Sequence, residues 1–426
     1  MVYETDTPTL CVGELHLPMN ISRADIKEFD CNFSVVPDYP KMNSELFEEA
    51  YTELRNAKKA LVICGNGVLQ SNLKNVTNIF LSKSKIPYVV SMLGKGTVTE
   101  EADNFCGMIG SYGNRCANII LSQADVVLAL GTRLDLRQTG NVNSEILKKI
   151  KFIHVDIDEH ELKDSKIQNK LNLHADAGEF LRNLCSRELS ISPDWINYCF
   201  NTKESYSQEK ELERNVNAKA PYEAIGNLRL CIKEPTTFVS DVGQNQVWVA
   251  QMLNLKNKDR LYSSGGLAPM GFAIPCAVGA AFANPKKKIV CITGDGGFHF
   301  ALQSLQLISQ YNLNVTIYVL NNASLGMITQ FQTLYFDSNM AGTTKDGGYI
   351  VPYIQKIAEA YSLQYEKVQS VTESTEVGSK PCTIYEIPLP ELTVVVPKLE
   401  YNKELYDMIP HLSENDLNSI KFNGGG

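Results

Sequence analysis

Basic excess, long apolar runs and paired cysteines are all missing from this 426-residue chain, and each absence removes a class of function. Lys and Arg number 40 against 48 Asp and Glu, a net charge of -8 with the basic residues scattered, so there is no electrostatic footprint for nucleic acid. The longest apolar stretches, such as ADVVLALG and TIYVLNN, are strand-sized and far below the roughly 20 residues that span a bilayer. No membrane association is expected. The opening MVYETDTPTLCVGELHLP has no basic region followed by an apolar run, so no secretory signal is legible and a cytoplasmic location is expected. Eleven cysteines, an odd number without CxxC or His/Cys ligand spacing, fit reduced thiols packed as small hydrophobes rather than a disulfide frame or zinc site.

What is present is an ordinary globular composition, 44% hydrophobic and 21% charged, on a chain long enough for two or three domains. From residue 58 to about 185, β-branched runs (KKALVICG, IPYVVSML, ADVVLALG, KFIHVDID) alternate with amphipathic stretches, the pattern of a parallel α/β domain. Polar NTKESYSQEKELERN reads as helix or linker. The α/β pattern then restarts with PTTFVSDVG, RLYSSGG, KKIVCITGDG, NVTIYVLNN and PCTIYEI. The fold class expected is α/β, two doubly wound parallel-sheet domains.

The most informative segment is CITGDGGFHFALQSLQLISQYNLNVTIYVLNNASLGM. KKIVCITG reads as a buried strand, and FHFALQSLQLISQ puts Phe298, Ala301, Leu302, Leu305 and Ile308 on one face of a helix. NVTIYVLNN is the next strand. A right-handed strand–helix–strand unit brings Asp295 and Asn322 to carboxyl ends of the same sheet, facing the crevice where open α/β sheets bind ligands. A carboxylate and an amide oxygen there are hard, few ligands, suited to Mg²⁺ shared with a diphosphate. Gly294 and Gly296 let the backbone approach phosphates closely. The alternative for GDG alone is a turn whose Asp merely caps the helix.

GDGG followed by NN at this spacing closely resembles the thiamine diphosphate signature of the acetohydroxyacid (acetolactate) synthase-like family, and the resemblance covers nearly the whole chain. It implies Mg²⁺ held by Asp295, Asn322 and the main-chain carbonyl of Ser324, with diphosphate oxygens and water completing an octahedron. Gly294, Gly296 and Gly297 would lie against the cofactor. SDVGQNQVWVAQ is similar to the family's diphosphate-holding segment, here Val242, Gly243 and Gln244, with Asn245 where many members have His. SSGGLAPMGFAIP resembles the stretch whose methionine, here Met270, wedges the cofactor into its bent shape. On residue type alone Met270 reads as a core residue, and its place between GGL and GFAIP turns that preference toward the cofactor role. Met327 and Phe331 match substrate-pocket positions; synthases usually carry Trp at the second, which puts the usual acceptor preference in doubt.

The segments LVICGNGVLQS, SMLGKGTV, GMIGSYGN, LALGTRLDLRQTGN and FIHVDIDEHEL resemble the family's middle domain. There synthases hold a non-reactive FAD, so the resemblance extends FAD to this chain, although GNGVLQ is not a GxGxxG fingerprint because Gln70 replaces the third glycine. Arg137 matches an arginine that grips the acceptor's carboxylate; a surface ion pair with Asp135 is the other reading. FDSNMAGTTKDGGY, residues 336 to 349, reads either as a mobile lid or as a surface loop.

The organisation implied is a remnant or exit linker of a pyrimidine-binding domain (1–43), a central α/β domain (44–185), a linker (186–220), the thiamine diphosphate/Mg²⁺ domain (221–400) and a C-terminal tail (401–426). The pyrimidine-binding domain supplies the glutamate that activates the cofactor ring, and no residue here is assigned that role. Either a separate chain donates that half or the sequence is a piece of a longer one. The reaction implied is decarboxylation of pyruvate, a 2-keto acid, with transfer of the two-carbon unit to a carbonyl acceptor, in a homo-oligomer or with a partner chain. A keto-sugar nucleotide as acceptor is one alternative and a non-catalytic cofactor-binding or regulatory subunit another. A nicotinamide-dependent dehydrogenase would need a glycine fingerprint that neither domain's first turn has.

Overall fold

The computed structural model describes residues 40–70, 73–141, 144–256, 258–369, 371 and 380–421, with no account of the Gln70 side chain. The segment expected to be an exit linker therefore lies almost wholly outside the described residues, as does the terminal glycine run.

Two six-stranded, all-parallel sheets carry the fold, each with helices against it. The first contains β1 (Ala60–Cys64), β2 (Tyr88–Val90), β3 (Phe105–Met108), β4 (Val126–Leu130), β5 (Lys151–Asp156) and β6 (Lys170–His174), in the order β3-β2-β1-β4-β5-β6. The second contains β7 (Thr236–Ser240), β8 (Arg260–Ser263), β9 (Lys288–Gly294), β10 (Val315–Asn321), β11 (Gln364–Lys367) and β12 (Thr383–Pro388), ordered β11-β12-β10-β9-β7-β8. Strands covered on both faces read as unbroken apolar runs, and β1 and β4 are buried at every position. The short strands FCGM, KLNLH and QYEK were not legible, since Gly, Lys, Asn and Gln dilute the β-branched signal.

The single helix expected over 298–308 is interrupted. Asp295–Phe300 is helical, Leu302–Ser304 forms a 3₁₀ turn and Leu305–Gln310 resumes the helix. Phe298, Ala301, Leu305 and Ile308 are buried as the periodicity demands, whereas Leu302 at the break is only half-buried.

The polar stretch between the sheets is mostly helix, Pro193–Ser205 and Gln208–Arg214, and one of its acids is not solvated. Glu211 is buried against Arg115, whose Nε and Nη2 donate to its two oxygens at 2.7 and 3.0 Å. The same guanidinium donates to the carbonyls of Met408 and Pro410, so one buried fork ties the first domain, the inter-sheet helix and the chain's end together. Between the domains, Lys95 pairs with Glu100 at 2.6 Å and donates to Leu253 O, while Glu100 accepts from Leu255 N. Near the end, β13 (Lys398–Leu399) pairs antiparallel with β14 (Met408–Ile409). No helix among the described residues is long and apolar enough to cross a membrane, and the nine described cysteines are free.

Candidate functional site

Parallel pairing fixes where the site lies. β9 lies between β7 and β10, so the turns after these three strands open on one edge of the sheet, carrying Asp241, Asp295 and Asn322 respectively.

After β7 the chain turns at Gly243, whose φ of 127° is open to glycine and strained for other residues, and enters the helix Gln244–Met252. Gln244 is a hub. Its Nε2 donates to Gln330 Oε1 and Thr393 O, and its Oε1 accepts from Asn322 Nδ2 at 3.3 Å. Asn322 thus has its amide nitrogen engaged, leaving the oxygen as its free end. Asn245 is buried; its Nδ2 donates to Asp241 O at 2.7 Å, and its oxygen lies 3.0 Å from where a Cβ on Gly243 would stand and 3.2 Å from one on Gly294. The two turns therefore close on one asparagine.

After β9, Asp295 is 2% exposed. Its Oδ1 accepts from Gly296 N at 2.7 Å and from the Tyr349 hydroxyl at 3.2 Å, while Oδ2 has no partner. Burial pushes this carboxyl up to about 6, against the opposing pull of Gly296 N, the Tyr349 hydroxyl and the nearby amides of Ala323 and Ser324. A buried carboxylate oxygen without a donor costs free energy unless something cationic fills the gap. After β10, Ser324 turns its hydroxyl to Thr329 at 2.7 Å, so only its main chain is available toward Asp295. One carboxylate, one amide oxygen and one carbonyl form a sparse set of hard oxygen donors, suited to Mg²⁺ sharing its shell with a ligand's phosphates. Among the described residues no cluster of three or more His, Cys, Asp or Glu offers a different metal site.

The glycines are needed by the site's own side chains. A Cβ on Gly296 would stand 2.8 Å from Met270 Cε and 2.9 Å from Leu325 Cδ2, and one on Gly297 would stand 2.8 Å from Asp241 Cγ. Met270 is half-buried and lies against Gly296, at the edge of the site rather than in the core. Met327 packs partly buried against the second domain's core.

Arg137 sits in the short helix Leu136–Thr139 of the first domain. Asp135 does not pair with it: Asp135 Oδ1 accepts from Gln138 N and caps that helix, while Arg137 Nη1 reaches Gly265 O in the second domain at 3.3 Å. The structure thus brings Arg137 to the loop that carries Met270. The segment 336–349 folds over the site, with Thr343 O accepting from Leu325 N and Tyr349 on Asp295.

Two residues escaped the sequence reading. Asp241 is buried and binds the Met270 turn, with Oδ1 accepting from Gly271 N and Oδ2 from Ala273 N, each at 3.0 Å. Its signal was available, since like Asp295 it follows a buried strand. Tyr349 had no signal, because nothing local marks a tyrosine 54 residues beyond its partner.

Comparison with known proteins identifies the family of both domains. Residues 47–184 match the family model described as thiamine pyrophosphate enzyme, central domain, and residues 241–380 match thiamine pyrophosphate enzyme, C-terminal TPP binding domain. The chain is 32% identical over 366 residues to an acetolactate synthase large subunit of Lactococcus lactis subsp. lactis, covering 84% of this chain and 62% of the relative. It is 31% identical over 347 residues to a probable acetolactate synthase large subunit of Methanococcus aeolicus, 77% of this chain and 57% of that protein. An acetolactate synthase large subunit of Cyanidium caldarium is 32% identical over 347 residues, 80% and 57% respectively. The chain thus spans about three fifths of the length of these curated relatives. The first match contains the whole first sheet and the second contains β8 to β11 of the second sheet, and the chain belongs to the thiamine pyrophosphate enzyme family.

Proposed function

We propose that this chain supplies the diphosphate- and Mg²⁺-binding part of an enzyme that decarboxylates pyruvate and transfers the two-carbon unit to a carbonyl acceptor. The observation that carries the reading is the orphaned, buried Asp295 Oδ2, at the end of the strand that neighbours the one leading to Asn322. In this reading Asp295, Asn322 and Ser324 O hold the metal, and Val242, Gly243, Gln244 and Asn245 form the diphosphate turn. The bound thiamine diphosphate supplies the carbanion and electron sink for decarboxylation. Met270, held by the Asp241-bound turn, orients the cofactor's rings, and Arg137 binds the acceptor's anionic end with a planar fork. Segment 336–349 excludes water from the reacting centre.

A division at 44–185 and 221–400 belongs to this proposal, supported by one complete sheet in each part. So does a partner. Leu267, Phe300, Ile350 and Tyr353 are all more than half exposed beside Met270 and Tyr349, a surface that an apposed chain bearing the pyrimidine-binding domain would cover. FAD receives no role. The amides that a dinucleotide fingerprint offers to a pyrophosphate are engaged here, Gly65 N on Leu130 O and Gly67 N on Gly131 O.

The test is calorimetric titration of the chain with thiamine diphosphate, with Mg²⁺ and again with EDTA. Binding should require the metal, and Asp295→Ala should remove it. Equal binding in EDTA, or in the variant, refutes the assignment. Labelled pyruvate added together with a pyrimidine-domain partner, followed by product identification, tests the transfer step.

A further inference from the structure

Which atom Asn322 leaves free is decided by groups beyond it. A side-chain amide has a donor end and an acceptor end of nearly equal size, so shape does not choose between them and hydrogen-bond partners do. Asn322 Nδ2 donates to Gln244 Oε1 at 3.3 Å, which settles Asn322 only if Gln244 is itself settled. Turning both amides over together would keep a hydrogen bond between them and leave nitrogen as the free end of Asn322. An amide nitrogen, its lone pair delocalised into the carbonyl, is no ligand for Mg²⁺.

The main chain settles Gln244. Its Nε2 donates to Thr393 O at 2.9 Å and to Gln330 Oε1 at 3.1 Å. Gln330, buried on the helix Gly326–Tyr335, is in turn paired with Val395 at both ends: Val395 N donates to its Oε1 at 2.9 Å, and its Nε2 donates to Val395 O at 2.9 Å. A backbone N–H only donates and a backbone C=O only accepts, so Gln330 has one permitted orientation. Reversed, Gln244 would bring its oxygen against two others, Thr393 O and Gln330 Oε1, with no hydrogen between them. The segment carrying these backbone groups is held as well. Val396 N donates to the Tyr222 hydroxyl at 3.0 Å, and the side-chain amides of Gln208 and Gln251 donate to Val396 O and Pro397 O at 2.7 and 3.1 Å. Tyr222, Gln208 and Gln251 are all buried.

We propose that Gln330 is a positioning residue for the metal, carrying the polarity of the Val395 main chain through Gln244 to Asn322, so that Asn322 offers oxygen. The inference rests on the metal reading proposed above and adds to it a residue that acts only through Gln244. It also accounts for an amide at 322 in place of a second carboxylate. An aspartate there would meet Gln244 Oε1 with oxygen whichever way it turned, and Gln244 has no freedom to answer with its nitrogen.

The experiment holds thiamine diphosphate fixed, raises Mg²⁺ and reads by equilibrium dialysis the metal concentration for half-maximal cofactor binding; each variant is also melted in EDTA. Gln330→Met should raise that concentration about ten-fold, the usual effect of removing a group that orients a metal ligand. It removes one acceptor of Gln244 and loosens the segment that supplies the other. Asn322→Asp, despite its added charge, should also raise it about ten-fold in the parent, because a carboxylate oxygen then faces Gln244 Oε1. In the Gln330→Met background Gln244 can turn its nitrogen to that carboxylate, and Asn322→Asp should then raise the concentration by less than about three-fold, a coupling that independent sites do not show. An unchanged Mg²⁺ requirement in Gln330→Met, with a lowered melting temperature, makes the residue merely structural and overturns the proposal. Asn322→Asp needing no more Mg²⁺ than the parent overturns it without any change at Gln330, so the test stands if Gln330→Met does not fold. Equal effects of Asn322→Asp in both backgrounds overturn it too. A parent that binds the cofactor equally without Mg²⁺ refutes the metal reading and this inference with it; a parent that needs Mg²⁺ through Asp295, with Gln330→Met unaffected, refutes this inference alone.

Discussion

Replacing Asp295 by asparagine should make the ligand-free protein more stable while removing its response to cofactor. Asp295 has a folded-state pKa of about 6 against 3.8 for the ordinary group, with burial as the main cause. An acid whose pKa is raised by folding penalises the folded state whenever it is ionised, so the penalty is complete above about pH 6 and fades as pH falls toward the unfolded value. Two pKa units correspond to about 3 kcal/mol. Asparagine removes the charge but leaves an amide nitrogen where Oδ2 had no partner, an unsatisfied donor worth roughly 1–3 kcal/mol. The net gain at pH 7.5 is then about 1 kcal/mol, or about 2–4 °C in melting temperature for domains of this size. At pH 4.5, where Asp295 is protonated in the folded parent, the advantage should disappear. Asp156, also pushed up to about 6 by burial, follows the same trend in both proteins, so the difference between them isolates position 295. Thermal melts in EDTA at the two pH values provide the measurement. Thiamine diphosphate and Mg²⁺ at a hundred times the dissociation constant should then raise the parent by about 2.7 kcal/mol and the variant not at all, reversing their order. A variant that melts below the parent in EDTA at pH 7.5, or that gains as much from cofactor, refutes the account of Asp295 as an acid whose buried charge awaits a cation.

Two further outcomes follow from the packing. Gly326→Ala would drive its Cβ into Gln244 Oε1, the atom that holds Asn322; cofactor affinity measured by titration should fall about ten-fold, because overpacking costs typically 1–3 kcal/mol and the strain falls on the metal-side amide. Arg115→Met should lower stability by about 3–5 kcal/mol, since Glu211 is then buried without its partner, and Arg115→Met with Glu211→Leu should recover most of the loss in denaturant unfolding.

The sequence by itself determined the two parallel sheets and the position of Asp295 and Asn322 at the candidate site. β1, β4, β9 and β10 are runs of β-branched and apolar residues that can be buried on both faces, and a strand–helix–strand unit has one favoured hand, so acids and amides just past β9 and β10 had to share an edge. Periodicity and handedness are local properties, and local sequence carries them.

Tertiary structure decided which distant groups meet there. Asp135 lies two residues from Arg137, yet its oxygen is taken by the Gln138 amide, and Arg137 reaches a carbonyl in the other domain. Glu211 reads as part of a solvated helix and is buried on Arg115. Tyr349 reaches Asp295, and Lys398 reaches the Tyr335 ring, across stretches of chain with no fixed period. Such contacts depend on strand order, on loop paths and on where each domain presses against the other. Those follow from the free energy of the whole packed molecule, which no short window of residues encodes.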